Sequence, residues 1–332
     1  MMMPASIPSP SVGVWWLGPI PLRAYGLLMV SGMVLAVWWT SRRYGARRGN
    51  PDLAFDMALW AIPLGIIGAR LYHVVTTPEL YFGQNGNLLQ ALEIWKGGLG
   101  IWGGVAGGAL GAWIALKRKG QRIGPIADAV APTLLVAQAL GRWGNYFNQE
   151  LFGSPTTLPW GLEIDDAHLP MGYTSGTLFH PTFLYECLWN LAMAGALIWW
   201  DHRRTFAGRK PSRDGSTKLG QKPLFAGQLF GLYVMAYTAG RVWIEYLRID
   251  EAHYVFGLRL NVWTSILVFI LGAVVFVVAG RLKQPTTVIL DEQKDTAELS
   301  DSAYDGDQLA TDHAATVGDS DKITGNEDVT QH

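Results

Sequence analysis

Gly141-Arg-Trp-Gly-Asn-Tyr-Phe-Asn-Gln-Glu-Leu-Phe-Gly153 is the stretch on which the reading of this chain turns. It closes an apolar segment, 124–144, and sets Arg142, Asn145, Asn148 and Glu150 at its mouth. Hydrocarbon is a poor solvent for such groups, so an ionisable cluster at a membrane boundary points to a functional site. The competing reading is a salt-bridge network that serves helix packing alone.

Outward from that run, seven stretches reach the roughly 20 residues that cross a hydrocarbon core: 20–41, 54–76, 97–116, 124–144, 181–200, 224–246 and 262–280. Charged residues make up 16% of the chain and Trp contributes 15 of 332 positions, against about 25% charge in a soluble domain. The fold expected is an all-α membrane protein with seven transmembrane helices. Gly, Pro and polar residues interrupt most spans, so hydropathy alone is expected to miss the third and fourth. Gly97, Gly98, Gly100, Gly103, Gly104, Gly107, Gly108 and Gly111 read as a surface for close helix approach.

Connecting charges give the orientation. Arg42, Arg43, Arg47 and Arg48 follow the first span, and Lys117, Arg118, Lys119 and Arg122 follow the third. Seven more Lys/Arg lie between 201 and 222, and Arg281 and Lys283 follow the last span. The opposite connections carry Lys96, Arg248 and Arg259. Positive charge marks the cytoplasmic side, so the N-terminus is expected outside and the C-terminus inside. The fourth span then runs outward, and 145–180 makes a small cap on the outer face. Residues 1–284 form the polytopic membrane domain. Residues 285–332 form an acidic cytoplasmic tail, with 12 Asp/Glu against two Lys from Asp291 onward; too few apolar groups are present to offset ordering entropy, so disorder is expected. The N-terminus lacks a basic leader before its first span and is expected to stay in the membrane.

Composition also excludes. The one cysteine, Cys187, allows no internal disulfide and no cysteine zinc site; in an apolar run it reads as a small hydrophobe. His-Glu-x-x-His, Gly-x-Ser-x-Gly and a phosphate loop ending in Lys-Ser/Thr are absent. No metal, cofactor or nucleic acid is expected.

Tyr237, Arg241, Glu245 and Arg248 are spaced to lie on one stripe of the sixth span. Arg241 and Glu245 fall at the depth expected for Arg142. Phospholipid head groups sit at that level, and guanidinium forks onto phosphate. His180-Pro-Thr-Phe-Leu-Tyr-Glu186 opens the fifth span and carries Glu186 inward. Tyr25, at the outer start of the first span, reads alone as an interfacial aromatic. Arg70 and His73 close the second span, where snorkelling alone accounts for Arg70.

The run at 141–153 reads G-R-x-G-N-[FY]-x-N-x-E-x-x-G and resembles the signature of the prolipoprotein diacylglyceryl transferase family. Tyr25-Gly26, Gly68-Ala-Arg-Leu-Tyr72, the Gly97–Gly104 stretch, His180–Glu186, and Gly240-Arg-x-x-x-Glu245 with Arg248 resemble the same family, in its order, across about 20–265. The resemblance implies a bacterial cytoplasmic (inner) membrane enzyme of lipoprotein biosynthesis. Its substrates would be phosphatidylglycerol and prolipoprotein signal peptides with a lipobox cysteine. It also implies that Tyr25, Arg142, Asn145, Glu150, Gly153, Glu186, Tyr237, Arg241 and Glu245 matter. On that footing the catalytic candidates are Arg142, Arg241, Glu245, Tyr25, Asn145 and Glu150. Glu186, Tyr237, Gly153, Arg70 and His73 join Arg142, Arg241 and Asn145 as substrate-binding candidates, and the base stays open among Glu245, Glu150 and His73. One departure stands out: many members carry His in a Ser-Phe-His-Gly-Gly context, where this chain has Trp102. The acidic extension resembles those of actinobacterial members. Two other readings remain at this stage, a phospholipid binder or transporter using the same arginines, and head-group hydrolysis with water replacing the thiol.

Overall fold

Long apolar runs without strand-like alternation coil into helices, which satisfy their own backbone N–H and C=O groups. The computed structural model describes residues 6–82, 86–94, 97–206 and 224–286, and it is mostly helical. The helices are α1 (Ala24–Ala46), α2 (Leu53–Thr76), the short α3 (Glu79–Phe82), α4 (Ile101–Arg118), α5 (Ile123–Asn148), α6 (Thr182–Asp201), α7 (Gln228–Leu247) and α8 (Leu260–Leu282). The acidic tail, Lys96 and the cations at 209–222 lie outside the described residues.

Helices α1, α2, α5 and α8 are long and apolar enough to cross a membrane. That corrects the expectation about hydropathy: the fourth predicted span qualifies as α5, while α4, α6 and α7 fall short. The reason is chemical. Glycine dilutes α4, Glu186 and Asn190 dilute α6, and Arg241 and Glu245 dilute α7. Three of these polar residues, Glu186, Asn190 and Glu245, are buried between helices. Conversely, α8 is apolar all round yet mostly exposed, with Leu267, Ile270, Leu271 and Val274 uncovered. Such surface needs a lipid solvent.

Helix α5 is the hub, packing on α1, α6 and α7; α2 pairs with α4 and α7 with α8. The α2–α4 seam is made of bare backbone. A Cβ on Gly68 would run into the carbonyl oxygen of Gly103, one on Gly103 into that of Gly68, and one on Gly111 would sit 2.5 Å from the oxygen of Trp60. Gly103→Ala is therefore expected to destabilise the fold by about 1–3 kcal/mol, read as earlier thermal unfolding in detergent. Gly26→Ala is the control, because a Cβ there meets nothing within 4 Å. Equal melting of the two variants would contradict the seam.

Polar ties lock the helix ends opposite the 141–153 run. Asp201 at the end of α6 receives Arg43 and Arg47 from the end of α1, each at 2.7 Å. The Asp128 carboxylate of α5 accepts the backbone N–H groups of Gly227 at 2.9 Å and Phe230 at 3.0 Å, capping α7.

The description as all-α needs correction, since among the described residues there are three two-stranded antiparallel ribbons, one ahead of α1 and two in connections between helices. They are β1 (Val14–Leu17) with β2 (Ile20–Arg23), β3 (Leu162–Glu163) with β4 (Leu178–Phe179), and β5 (Tyr254–Val255) with β6 (Leu258–Arg259). The last closes through Phe256 and Gly257, both at positive φ (49° and 77°), as a two-residue hairpin turn demands. A phenylalanine at that position hides the turn signal from sequence. Between α5 and α6, β3 and β4 lie within a small apolar cluster of Phe152, Leu162, Ile164, Phe179 and Phe183, joined by Ile7 from the N-terminal segment.

Candidate functional site

The 141–153 run ends α5 and turns sharply out of it. Gln149, at φ 51° and ψ 47°, is a left-handed cap, held by side-chain bonds with Asp165. Gly153 then threads between two elements: its N–H donates to the His180 carbonyl at 2.9 Å, and it bridges to Arg248. A Cβ there would meet His180 Cβ at 2.8 Å and the Leu247 oxygen at 3.1 Å. A side chain at 153 would push apart the strand leading into α6 and the end of α7.

That junction brings the charged groups of three helices together. Arg142 pairs through Nε with Glu186, while its Nη1 donates to Asn145 Oδ1 at 3.3 Å. Asn145 Nδ2 donates to Glu150 at 2.9 Å, and Asn148 Nδ2 to the same oxygen at 3.2 Å. Glu186 also receives Arg241 Nη1 at 2.8 Å, so one carboxylate joins two guanidinium groups. Arg241 Nη2 continues to Glu245 at 3.0 Å. Tyr237 and Tyr25 stand near the Arg142 guanidinium. Tyr25 comes from α1 and lies against Gly144, where any Cβ would collide with its ring. The continuous chain Glu150–Asn145–Arg142–Glu186–Arg241–Glu245 thus contains five of the six catalytic candidates, with Tyr25 beside it.

The partners that fix the Glu245 end of the chain were only partly legible in sequence. Glu245 is fully buried and, besides Arg241, accepts from Asn261 Nδ2 at 2.9 Å and forms ion pairs with Arg259 Nε at 2.9 Å and Arg248 at 3.6 Å. Asp250 backs Arg248 and Arg259, at 2.7 and 3.0 Å. Burial opposes ionisation of Asp250, yet the bonds and charges of Arg248 and Arg259 hold its carboxyl below the usual range. Arg259, Asn261 and Asp250 were not among the sequence candidates. The available signal was an arginine and an amide on either side of the residue that starts the most apolar helix.

The exposed edge of this network is cationic. The side chains of Arg142 and Arg241 are 20% and 16% exposed, whereas those of Glu186 and Glu245 are 5% and 1% exposed. A bound anion would meet guanidinium first, with the carboxylates behind it fixing the geometry.

Arg70 and His73 make a different set of contacts. The Arg70 guanidinium donates to the carbonyls of Ala91 (2.8 Å), Gly97 (2.7 Å), Gly98 (2.9 Å) and Gln90, and lies over the Tyr81 ring. Its donors are engaged in holding the α2–α4 connection. His73 bonds to Thr77 Oγ1 at 3.5 Å and stacks edge-on with Tyr81. Trp102 sits in the first turn of α4, half exposed, and Cys187 is buried in α6.

Comparison with known proteins converges on one family. A family model described as prolipoprotein diacylglyceryl transferase matches residues 13–278. The chain is 53% identical over 281 residues to phosphatidylglycerol–prolipoprotein diacylglyceryl transferase 2 of Streptomyces coelicolor, covering 85% of this chain and 83% of that protein. It is 47% identical to the similarly named protein of Frankia alni, over 99% of this chain and 81% of the relative. With the Bifidobacterium adolescentis protein of that name it shares 45% identity, over 97% and 95%. With the signature run, the converging arginines and these matches in agreement, the chain belongs to the prolipoprotein diacylglyceryl transferase family.

Proposed function

We propose that this protein transfers the diacylglyceryl group of phosphatidylglycerol to the lipobox cysteine of prolipoproteins, the first step of bacterial lipoprotein maturation. The observation that carries the reading is the paired guanidinium edge of Arg142 and Arg241, exposed above buried carboxylates. In the reaction the cysteine sulfur attacks the glycerol carbon bonded to the phosphate oxygen. A C–S bond forms, the C–O bond breaks with its electron pair, and glycerol 1-phosphate leaves.

Arg142 and Arg241 bind that phosphate and stabilise the charge it gains as the bond breaks. Asn145, Tyr25 and Tyr237 orient phosphate and glycerol oxygens. Gly153 keeps α5, α6 and α7 close enough for the cluster to exist. Glu186 and Glu245 hold the arginines. Glu245 accepts hydrogen bonds from Arg241 and Asn261 and is ion-paired with Arg248 and Arg259, so it serves as a positioning group. Glu150 is exposed and accepts from Asn145 and Asn148, which leaves it better placed than Glu245 to take the thiol proton. A free thiol has a pKa of about 8.5, and two adjacent guanidinium groups favour its thiolate. Arg70 and His73 act at a distance from the phosphate, by shaping the connection above α2 and α4.

The membrane reading follows from the same charges. Seven helices span the cytoplasmic membrane with the N-terminus outside and the C-terminus inside. Arg42 over Trp38, Lys117 over Trp113 and Arg203 over Trp199 support this, since stacked cations and tryptophans suit an inner interface. Residues 1–284 form the transferase domain, 145–180 its outer cap, and 285–332 an acidic tail.

Incubating the purified protein with phosphatidylglycerol and a lipobox peptide, then weighing the peptide, tests this reading. A diacylglyceryl mass on cysteine, absent from a Cys→Ser peptide, is expected. An unmodified peptide with free diacylglycerol would mean hydrolysis, and bound but unreacted lipid would mean a binding or transport protein.

A further inference from the structure

One helical turn below the arginine–glutamate chain lies a second polar layer that this reaction scheme does not use. Gln138 precedes Arg142 by four residues on α5, and Asn190 follows Glu186 by four on α6. Four residues advance a helix by about 6 Å on the same face. Since α5 and α6 pack on each other, the two side chains share a level. Asn190 is 2% exposed and its Nδ2 has no hydrogen-bond partner among the described residues. Gln138 donates from Nε2 to Tyr233 at 3.0 Å, but its buried Oε1 accepts from nothing among the described residues. A donor and an acceptor on packed helices are thus both unmet, and they do not bond to each other. A buried amide left this way is unfavourable, so leucine would be the more stable choice at 190 unless a ligand atom completes the site.

We infer that Asn190 Nδ2 donates to an ester carbonyl of the diacylglyceryl group, and that this layer is the subsite for the lipid's glycerol–ester region. The inference rests on the transferase reading above. With the phosphate held by Arg142 and Arg241, the short glycerol backbone places the first ester carbonyl about one helical turn nearer the bilayer centre. An ester carbonyl accepts and never donates, which matches the free donor at Asn190. Asn190 is a specificity-determining residue in this account.

The test compares phosphatidylglycerol with its diether analogue, which has the same chains and no carbonyls, in detergent micelles with a lipobox peptide. Wild-type protein is expected to favour the diester in kcat/KM by about fivefold, the scale of one neutral hydrogen bond. Asn190→Leu is expected to bring that ratio close to one by slowing the diester reaction, with the diether rate retained. Asn190→Ala removes the donor without adding bulk and gives the same readout if leucine does not fit. Survival of the diester preference in both variants would overturn the subsite. So would an equal slowing of both lipids, the behaviour of a structural amide or of a water bridging Asn190 and Gln138. Folded wild-type protein that modifies the peptide with neither lipid would instead sink the transferase reading, and the subsite with it.

Discussion

Arg142→Ala is expected to lower kcat about a hundredfold while the helices stay assembled. The loss is on the scale of a missing oxyanion donor, about 3 kcal/mol. It should fall on kcat because charge grows on the phosphate as the C–O bond breaks, so the guanidinium does more for the transition state than for bound lipid. The fold should survive because Glu186, the carboxylate that Arg142 leaves, keeps its 2.8 Å pair with Arg241. Single-turnover transfer to a lipobox peptide gives the rate, and thermal unfolding of the same preparation checks the fold. Normal turnover in a folded Arg142→Ala protein would remove the phosphate clamp.

Glu245→Ala is expected to have the largest effect on stability. The residue is fully buried and is a shared counter-charge for Arg241, Arg248 and Arg259. Removing one partner of a buried ion pair costs about 3–5 kcal/mol, because the remaining charge is left in a medium that solvates it poorly. Asp250 still answers Arg248 and Arg259 at 2.7 and 3.0 Å, so the loss should centre on Arg241 and the α7–α8 contact. Glu245→Gln should fall between wild type and Ala, since an amide oxygen still accepts from Asn261. Thermal or denaturant unfolding in detergent measures this, and an Ala variant that unfolds with wild type would show that Glu245 anchors nothing.

The contrast between these two residues bears on what a reader of the sequence could know. Both fall in recognisable motifs and both were expected near the phosphate. Sequence could not separate the arginine with an exposed edge from the glutamate sealed behind it, because spacing along one helix does not say how much of a side chain its neighbours cover. Arg70 makes the same point. At the end of an apolar run it reads as a snorkelling cation or a lipid contact, yet its guanidinium is enclosed by backbone carbonyls of Ala91, Gly97 and Gly98 in the connection that follows α2.

What the sequence determined by itself is one-dimensional: which stretches are apolar enough to coil into long helices, where positive charge collects, and that a polar cluster closes α5. Those properties follow from solvation of a local segment, while the spaced motifs, foremost the 141–153 run, carry the family resemblance. Tertiary structure alone decided which helices meet, that Glu186 is shared by two arginines, and that Arg259 and Asn261, at the start of α8, close on Glu245. It also decided that Phe256-Gly257 makes a hairpin turn. Apolar helices present similar faces to many partners, and a carboxylate can pair with any cation at its depth. The choice is made by close backbone approach, as at Gly68 and Gly103, and by the turns that bring the helix ends to one level.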